Sequence, residues 1–396
     1  MSKVYLEHRD AYHVPGAASS TEVEAALDLA ANALLNCDAW IVTAGAGMGV
    51  DSGLPDFRGT TGLFKDRDVA MSYEDMSDDK WFAEDPQFAW GINYTQLEMY
   101  RNTPPHAGFA TLLKWAQTLG KEYYVWTSNI DSQFEKAGFP GGKVITCHGD
   151  LHHLQCVDSK CPGLAKDRSD LIWPATCIPS GLREDIDQDS LRFRDAAALE
   201  ADHFRCPRCG KLARPNVWFC HDRNYVYRRA EDWKHEAYHK WLRELGERGA
   251  KLVVFECGGG LAIPSVRVEG EDAVEACGEG SLLVRLNPKD CKVPAARAVG
   301  LPLGSKDGLH RLDKKLGELQ HGTAAPAAVA AFPAQRLLGG AAAGGGGVGR
   351  SPALLSGGAA IARTKVTGAS GGRKPSMSPG TGKRALLAKP KAGGRA

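Results

Sequence analysis

The chain of 396 residues lacks any apolar stretch of the roughly 18–20 residues needed to cross a bilayer, and its first ten residues are polar and charged. Both absences argue against a membrane span or a secretory signal peptide, so an intracellular protein is expected, cytoplasmic or nuclear. An even set of cysteines is also missing. The eleven present are scattered, which fits a reducing compartment with metal ligation better than a disulfide framework. No internal repeat is evident. Acids are absent from 319–396, which carries eleven Lys plus Arg. Of 49 basic and 47 acidic residues, 38 basic and all 47 acidic ones therefore lie in 1–318, giving that body a formal charge of −9 where the whole chain has +2. The body is acidic and the tail basic. The tail is Ala/Gly-rich over 324–349 and Gly/Ser/Pro/Lys/Arg-rich beyond. Such a composition cannot bury enough apolar surface to offset chain entropy, so 319–396 is expected to be disordered.

An ordinary dehydrogenase fingerprint is missing as well. Ala39-Trp40-Ile41-Val42 reads as a buried strand and runs into Thr43-Ala44-Gly45-Ala46-Gly47-Met48-Gly49-Val50. G-x-G-x-x-G would need glycine where Val50 stands, and one unbroken helix should follow. Instead Pro55 interrupts, and Asp56, Phe57 and Arg58 continue as a loop. Asp66 lies about twenty residues on, but in a loop rather than at a strand end. Glycines at a strand exit let backbone N–H groups approach a phosphate, so a nucleotide is the first ligand to consider. A bare glycine turn is often only a tight connection. Glycines followed by Pro-Asp-Phe-Arg are more specific.

What is present is an alternation of apolar runs and amphipathic segments. Glu22–Leu35, Ala110–Leu119 and Glu231–Arg248 have helical periodicity. Tyr123–Thr127, Val144–Cys147, Lys251–Glu256 and Leu282–Leu286 read as further strands. The pattern predicts an α/β fold, a Rossmann-like doubly wound parallel sheet. Ligands gather at the carboxyl ends of such sheets. Those ends carry Gly45 and Gly47, then Ser128-Asn129-Ile130-Asp131, His148, Gly258-Gly259-Gly260, and Asn287. Each alone has a turn-forming or structural reading; together they mark one nucleotide-sized crevice. Cys156-x4-Cys161 and Cys206-Pro207-Arg208-Cys209-Gly210 form two pairs about 45 residues apart. C-P-x-C-G is a knuckle turn, and four thiolates make a closed structural zinc site, one zinc per chain. His152, His153, Cys177 and Cys220 rank below these four as ligands. The acid-rich stretch Gly163–His203 reads as a mobile, solvated insertion.

Taken in order, Gly45-Ala46-Gly47, Ser52 to Arg58, Ser128 to Asp131, Cys147-His148-Gly149, the two cysteine pairs, Arg214-Pro215-Asn216-Val217 and Leu286-Asn287 resemble the sirtuin family of NAD-dependent protein deacylases. The resemblance covers about 25–310. Glu256–Gly260 and Ala262–Arg267 look more like a bacterial-type branch. The resemblance implies an N-terminal extension over 1–20 and a catalytic domain over 21–318. Within it, the NAD-binding part would take 25–60, 105–150 and 231–318, and a zinc-binding small domain 151–225. It implies NAD as co-substrate, with Gly45, Ala46 and Gly47 near the pyrophosphate and Asp56, Phe57 and Arg58 in a loop over it. Ser128, Asn129, Ile130 and Asp131 would line the nicotinamide pocket, Gly258, Gly259 and Gly260 would give backbone access, and Asn287 would meet the adenosine ribose. His148 would be the general base, with Asn129 and Asp131 beside it at the chemistry. Acylated-lysine protein or peptide would add as an extended strand beside Val217, Trp218 and Phe219.

Four departures stand out. Ser128 replaces a usual Gln, Gly49 a usual Ser, Gly258–Ala262 a Gly-Thr-Ser loop, and Cys220-His221 the usual Phe-Gly of the substrate strand. They leave room for mono-ADP-ribosyl transfer or NAD hydrolysis on the same scaffold, or for a weakly active NAD-binding module. In the tail, Ala362-Arg363-Thr364-Lys365 resembles the start of a histone tail. It suggests a tethered pseudosubstrate or chromatin-like arm; the plainer alternative is a solvated extension in weak contact with nucleic acid, or a nuclear signal.

Overall fold

The run at 39–44 forms the centre of the sheet because both of its faces are covered. The computed structural model describes residues 13–56, 71, 73–158, 160–161, 172–226 and 229–322, all within one compact unit. Counting helices of twelve or more residues, the elements in chain order are β1 (His13–Val14), α1 (Ser20–Asn36), β2 (Ala39–Ala44), α2 (Pro86–Asn102), α3 (Ala107–Thr118), β3 (Glu122–Thr127), β4 (Val144–Thr146), β5 (Gly149–Cys156), β6 (Ile172–Pro174), β7 (Ala213–Val217), α4 (Arg229–Glu247), β8 (Leu252–Cys257), α5 (Ser265–Ala276), β9 (Leu282–Leu286), β10 (Val293–Pro294), β11 (Ala298–Leu301) and α6 (Ser305–Gln320).

The main sheet is parallel throughout and runs β11-β9-β8-β2-β3-β4. Its first strand in sequence is central, and the chain winds outward first to one side and then to the other. This is the doubly wound order, with the switch point between β2 and β8. Alternate residues of each strand face opposite layers. Trp40, Val42, Val125 and Phe255 pack against Leu27, Leu34, Phe109, Trp115, Leu309 and Leu312 of α1, α3 and α6. Ile41, Tyr124 and Val254 face Tyr238, Leu245, Val266 and Ala273 of α4 and α5. Local sequence starts the helices where expected. Ser19 and Glu22 close a reciprocal capping box on α1, and Asp85 caps α2 with Pro86 in its first turn.

A second, antiparallel sheet runs β6-β5-β7. With α2 it encloses a separate core of Trp90, Tyr94, Leu97, Leu151, Leu154, Phe193, Phe204 and Val217. Trp90 Nε1 donates to the Ala213 carbonyl at 2.9 Å, fixing α2 to β7. Leu54, from the segment after the glycine turn, is buried in this same core.

The structure corrects the expectation of a solvated insertion over 163–203. Residues 162–171 lie outside the described residues, but 172–203 is packed: Ile178, Ile186, Leu191, Phe193 and Leu199 are buried. These isolated apolar residues, several positions apart, anchor short turns while the acids between them face water. No periodic template detects that spacing. Helices α2, α5 and α6 and strands β5, β6 and β11 add to the predicted elements, and α6 continues to Gln320, just past the expected end of the folded body. The remainder of the basic tail, 323–396, with its histone-like segment, lies outside the described residues, as do Phe57 and Arg58. Among the described residues, no helix is long and apolar enough to cross a membrane.

Candidate functional site

The glycines at the exit of β2 meet those at the exit of β8. Gly45 N–H donates to the Cys257 carbonyl at 3.0 Å and Gly47 N–H to the Gly258 carbonyl at 3.1 Å. A Cβ on Gly47 would fall 2.7 Å from Gly258 Cα, and one on Gly258 would fall 2.3 Å from the backbone of Gly47 and Met48. Gly258 also has a φ of +64°, the left-handed region. Three of the glycines read as phosphate-approach residues are thus needed first for the crossing of two backbones. Gly260 differs: a Cβ there would meet nothing within 4 Å, so the outer edge of the turn faces open space.

Below the short helix Gly47–Val50, the buried His106 joins this turn to α3. His106 Nδ1 accepts from the Gly108 N–H at 2.9 Å, which leaves Nε2–H to donate to the Met48 carbonyl at 2.9 Å. Burial lowers its pKa, consistent with that neutral tautomer. Sequence reading passed over His106, although its place before a predicted helix was a signal.

The exit of β3 lies on the other side. Asn129, buried, donates from Nδ2 to the Gly45 carbonyl at 3.1 Å, while its N–H bonds Thr127 Oγ1 at 3.0 Å. Asp131 Oδ1 accepts from the Gln133 N–H at 3.0 Å, and its Oδ2 lies 3.6 Å from the position a Cβ would take on Gly49. A serine at 49 would therefore press on Leu54, 3.1 Å from its Cβ, while only touching Asp131. Burial pushes the Asp131 carboxyl up to about 6, against the Gln133 N–H bond and the Lys136 charge, which hold it down. Next along the edge, His148 is lowered by burial, while a hydrogen bond to the Ser128 carbonyl raises it. The Trp218 N–H donates to the His148 carbonyl at 2.9 Å, and the Trp218 ring stands edge-on to the imidazole with centroids 6.2 Å apart. Trp218 is 44% exposed and stacks on Tyr225. Strand β7 ends at Val217, so Trp218 and Phe219 lie just beyond it. His221 takes a left-handed φ of +60°, with its exposed side chain 3.7 Å from Asp78.

At the far end, Asn287 is buried and donates from Nδ2 to the Gly259 carbonyl at 3.0 Å. Beneath it, facing residues of β8 and β9 form a buried ion pair: Arg285 reaches both oxygens of Glu256 at 2.8 and 2.7 Å and also Glu271 at 2.7 Å. Burial opposes ionisation of Glu271, but hydrogen bonds from His13 and Arg285 outweigh it and hold the carboxyl at about 2. The groups anticipated at separate strand ends thus form one line: Trp218, His148, Ser128, Asn129, Gly45, Gly258, Gly259, Asn287. It follows the strand order β4-β3-β2-β8-β9 across the switch point. Asp56, half-buried, is the last described residue before the gap containing Phe57 and Arg58, and Ala46 and Ile130 sit within their respective turns.

The four cysteines gather apart from this line. Cys156, Cys161, Cys206 and Cys209 place their sulfurs within 4.8 Å of one another, with Cys156–Cys209 at 3.6 Å and Cys161–Cys206 at 3.8 Å. Tetrahedral bonds of about 2.3 Å put thiolates roughly 3.8 Å apart, so the cluster fits a structural zinc. Gly210, at a φ of +69°, gives the tight knuckle backbone. His152, His153, Cys177 and Cys220 are not part of the cluster.

Comparison with known proteins gives a consistent picture. A model of the Sir2 family matches residues 45–240. A probable bifunctional ADP-ribose hydrolase/ADP-ribosyltransferase of Fusarium oxysporum f. sp. cubense is 27% identical over 260 residues, 63% of this chain and 40% of that protein. NAD-dependent protein deacetylase 1 of Streptomyces coelicolor is 28% identical over 291 residues, 72% of this chain and 89% of that one. The chain spans 58 to 60% of the length of the archaeal NAD-dependent protein deacylases it matches. The crystal structure of a Sir2 homolog–NAD complex superposes with a TM-score of 0.51 at 18% identity, covering 78% of this chain and 99% of that one, a likeness of fold.

Proposed function

The chain belongs to the Sir2, or sirtuin, family, and from that premise we propose that it is an NAD-dependent protein lysine deacylase acting on acylated protein or peptide. The reading rests on one observation above the rest: imidazole, amide and glycine groups form one line across the switch point of the sheet. That crevice is where a doubly wound sheet accepts a dinucleotide. The open outer edge at Gly260 leaves room for a pyrophosphate against backbone N–H groups.

When bound, NAD would supply an electrophilic ribose carbon to the acyl oxygen; one water is consumed, and the products are deacylated lysine, O-acyl-ADP-ribose and nicotinamide. The residues then divide the work. His148, kept neutral by burial, takes the proton from a ribose hydroxyl. Asn129 and Asp131 hold the ribose and carboxamide of the nicotinamide end, with Ser128 and Ile130 lining the pocket. Asp131 exchanges a proton close to neutral pH, so it can either donate to or accept from the carboxamide. Gly45, Ala46, Gly47 and Gly258 to Gly260 offer backbone to the phosphates, and Asn287 meets the adenosine ribose. Asp56 stands at the start of the segment that the family resemblance assigns to the cofactor, and Phe57 and Arg58 after it lie outside the described residues. The acylated peptide lies as a strand beside Val217, Trp218 and Phe219, bringing its acyl group to the exposed Trp218 ring next to His148. Because His221 is exposed and lies beside Asp78, the altered Cys220-His221 pair does not by itself close that approach. The four cysteines hold zinc, which fixes the small antiparallel sheet. An intracellular location and weak contact of the basic tail with nucleic acid or chromatin are parts of this reading carried by sequence alone.

Mono-ADP-ribosyl transfer is the second reading, favoured by the named activity of the Fusarium relative and by the missing hydroxyls at 258–260. One experiment separates the two. Purified protein is incubated with labelled NAD and with acetyl- or longer acyl-lysine peptides. Deacylation yields nicotinamide and O-acyl-ADP-ribose in equal amounts. Label on protein with no O-acyl-ADP-ribose from any peptide replaces the first reading by the second.

A further inference from the structure

We propose that Arg267 is a positioning residue that replaces the hydroxyl side chains missing from the 258–262 turn, clamping the adenosine side of the crevice. The proposal rests on the NAD-binding reading above. Gly258, Gly259 and Gly260 have no side chains with which to fix their own backbone, and Leu261 and Ile263 beyond them are exposed. Something outside the turn must hold it.

The holding group is a closed ring of hydrogen bonds between the exits of β8 and β9. Arg267 Nε donates to the Gly259 carbonyl at 3.1 Å, and Asn287 Nδ2 donates to the same oxygen at 3.0 Å. Arg267 Nη2 donates to the Asp290 carbonyl at 2.5 Å, and the Asp290 N–H returns to Asn287 Oδ1 at 2.9 Å. One guanidinium thus spans two turns, with Asn287 completing the circuit. A lysine would bring all its donors to a single nitrogen, without the planar fork whose spaced Nε and Nη2 reach the Gly259 and Asp290 carbonyls here.

Two further features tie Arg267 to the glycine turn. A Cβ on Gly259 would fall 2.7 Å from Glu256 Oε1 and make only ordinary contact, at 3.4 Å, with Arg267 Cγ, so a side chain at 259 would press on the carboxylate that balances the arginine. The buried guanidinium is balanced by Glu256, 3.9 Å away, which Arg285 in turn grips with two hydrogen bonds. Arg267 Nη1, also buried, has no hydrogen-bond partner among the described residues. The side chain is therefore not saturated by its structural role.

The test combines NAD titration calorimetry, steady-state kinetics and amide hydrogen exchange on the full chain and on Arg267→Met and Arg267→Lys. Arg267→Met is expected to weaken NAD binding and raise KM for NAD on the order of tenfold or more, with kcat changed much less. Exchange should quicken at 258–261 and 289–290 but not in β2 or β3. Arg267→Lys should recover part of the affinity, and it carries the same measurements if Arg267→Met does not fold. Unchanged NAD affinity in the variants, or a fall in kcat at constant KM, overturns the clamp while leaving the functional reading intact. A wild-type protein that does not bind NAD overturns both.

Discussion

Replacing Gly258 by alanine tests whether the two glycine turns lock to each other. An L-residue at a φ of +64° costs about 1–2 kcal/mol relative to glycine. The new Cβ would stand 2.3 Å from the backbone of Gly47 and Met48, which has no flexible end to move aside. Overpacking of this kind costs roughly 1–3 kcal/mol. Reduced freedom of the unfolded chain returns about 0.4–1 kcal/mol. The net loss is therefore about 3 kcal/mol. With unfolding entropy near 2.1 cal/mol/K per residue over a folded body of roughly 300 residues, the melting midpoint should drop by about 5 °C. The loss should reach the site, because Gly45 accepts the Asn129 amide and cannot keep that bond if the turns separate. Gly260→Ala is the control, since its Cβ meets open space and its stability should change by less than about 1 kcal/mol. The assay is scanning calorimetry of both variants beside NAD titration. A Gly258→Ala protein that melts with the wild type, or a Gly260→Ala protein that loses as much, would refute the interlocking argument.

Asp131→Asn should stabilise the protein at pH 7.5 by at most about 3 kcal/mol. The folded-state pKa of about 6 lies above the ordinary aspartate value of 3.8, so the native state binds the proton more tightly and the wild type loses stability as pH rises through this interval. The gain should shrink as pH falls from 6 toward 4, as read by denaturant titration at several pH values, while turnover is lost throughout. His148→Ala should lower turnover on the order of 10²- to 10⁴-fold with little change in NAD affinity. In the wild type the acidic limb of kcat/KM should lie below the ordinary histidine range, because burial lowers the imidazole pKa. Metal analysis should find one zinc per chain, and a chelator or Cys206→Ser should lower the melting midpoint; a chain that contains no zinc, or whose melting is indifferent to chelation, removes the zinc assignment.

The strands that carry the site were readable because their central residues are buried on both faces and form short apolar runs, as at 39–42 and 282–284. The polar groups at their exits could be named one by one, as could the four cysteines, whose spacing in two knuckles is local. The packing of 172–203 could not, since Ile178, Ile186 and Phe193 find their shared core only through α2, some hundred residues earlier. Nor could the purpose of the glycines. Read along the chain, Gly45 and Gly47 meant access for a phosphate; in space they are what lets the exit of β2 cross that of β8.

The sequence by itself determined which chemistry this protein can hold: an imidazole, an amide and a carboxyl at strand ends, four thiolates, and glycines where backbone must be approached. Those assignments rest on residue type and local pattern, which survive without a third dimension. Tertiary structure alone decided how these groups are held and tuned. Burial moves Asp131 toward neutral pH, and Arg267 and Asn287 share the carbonyl of Gly259 across two strand exits. Those properties depend on distance and on exclusion of water between segments far apart in the chain, and neither quantity is written in any one of them.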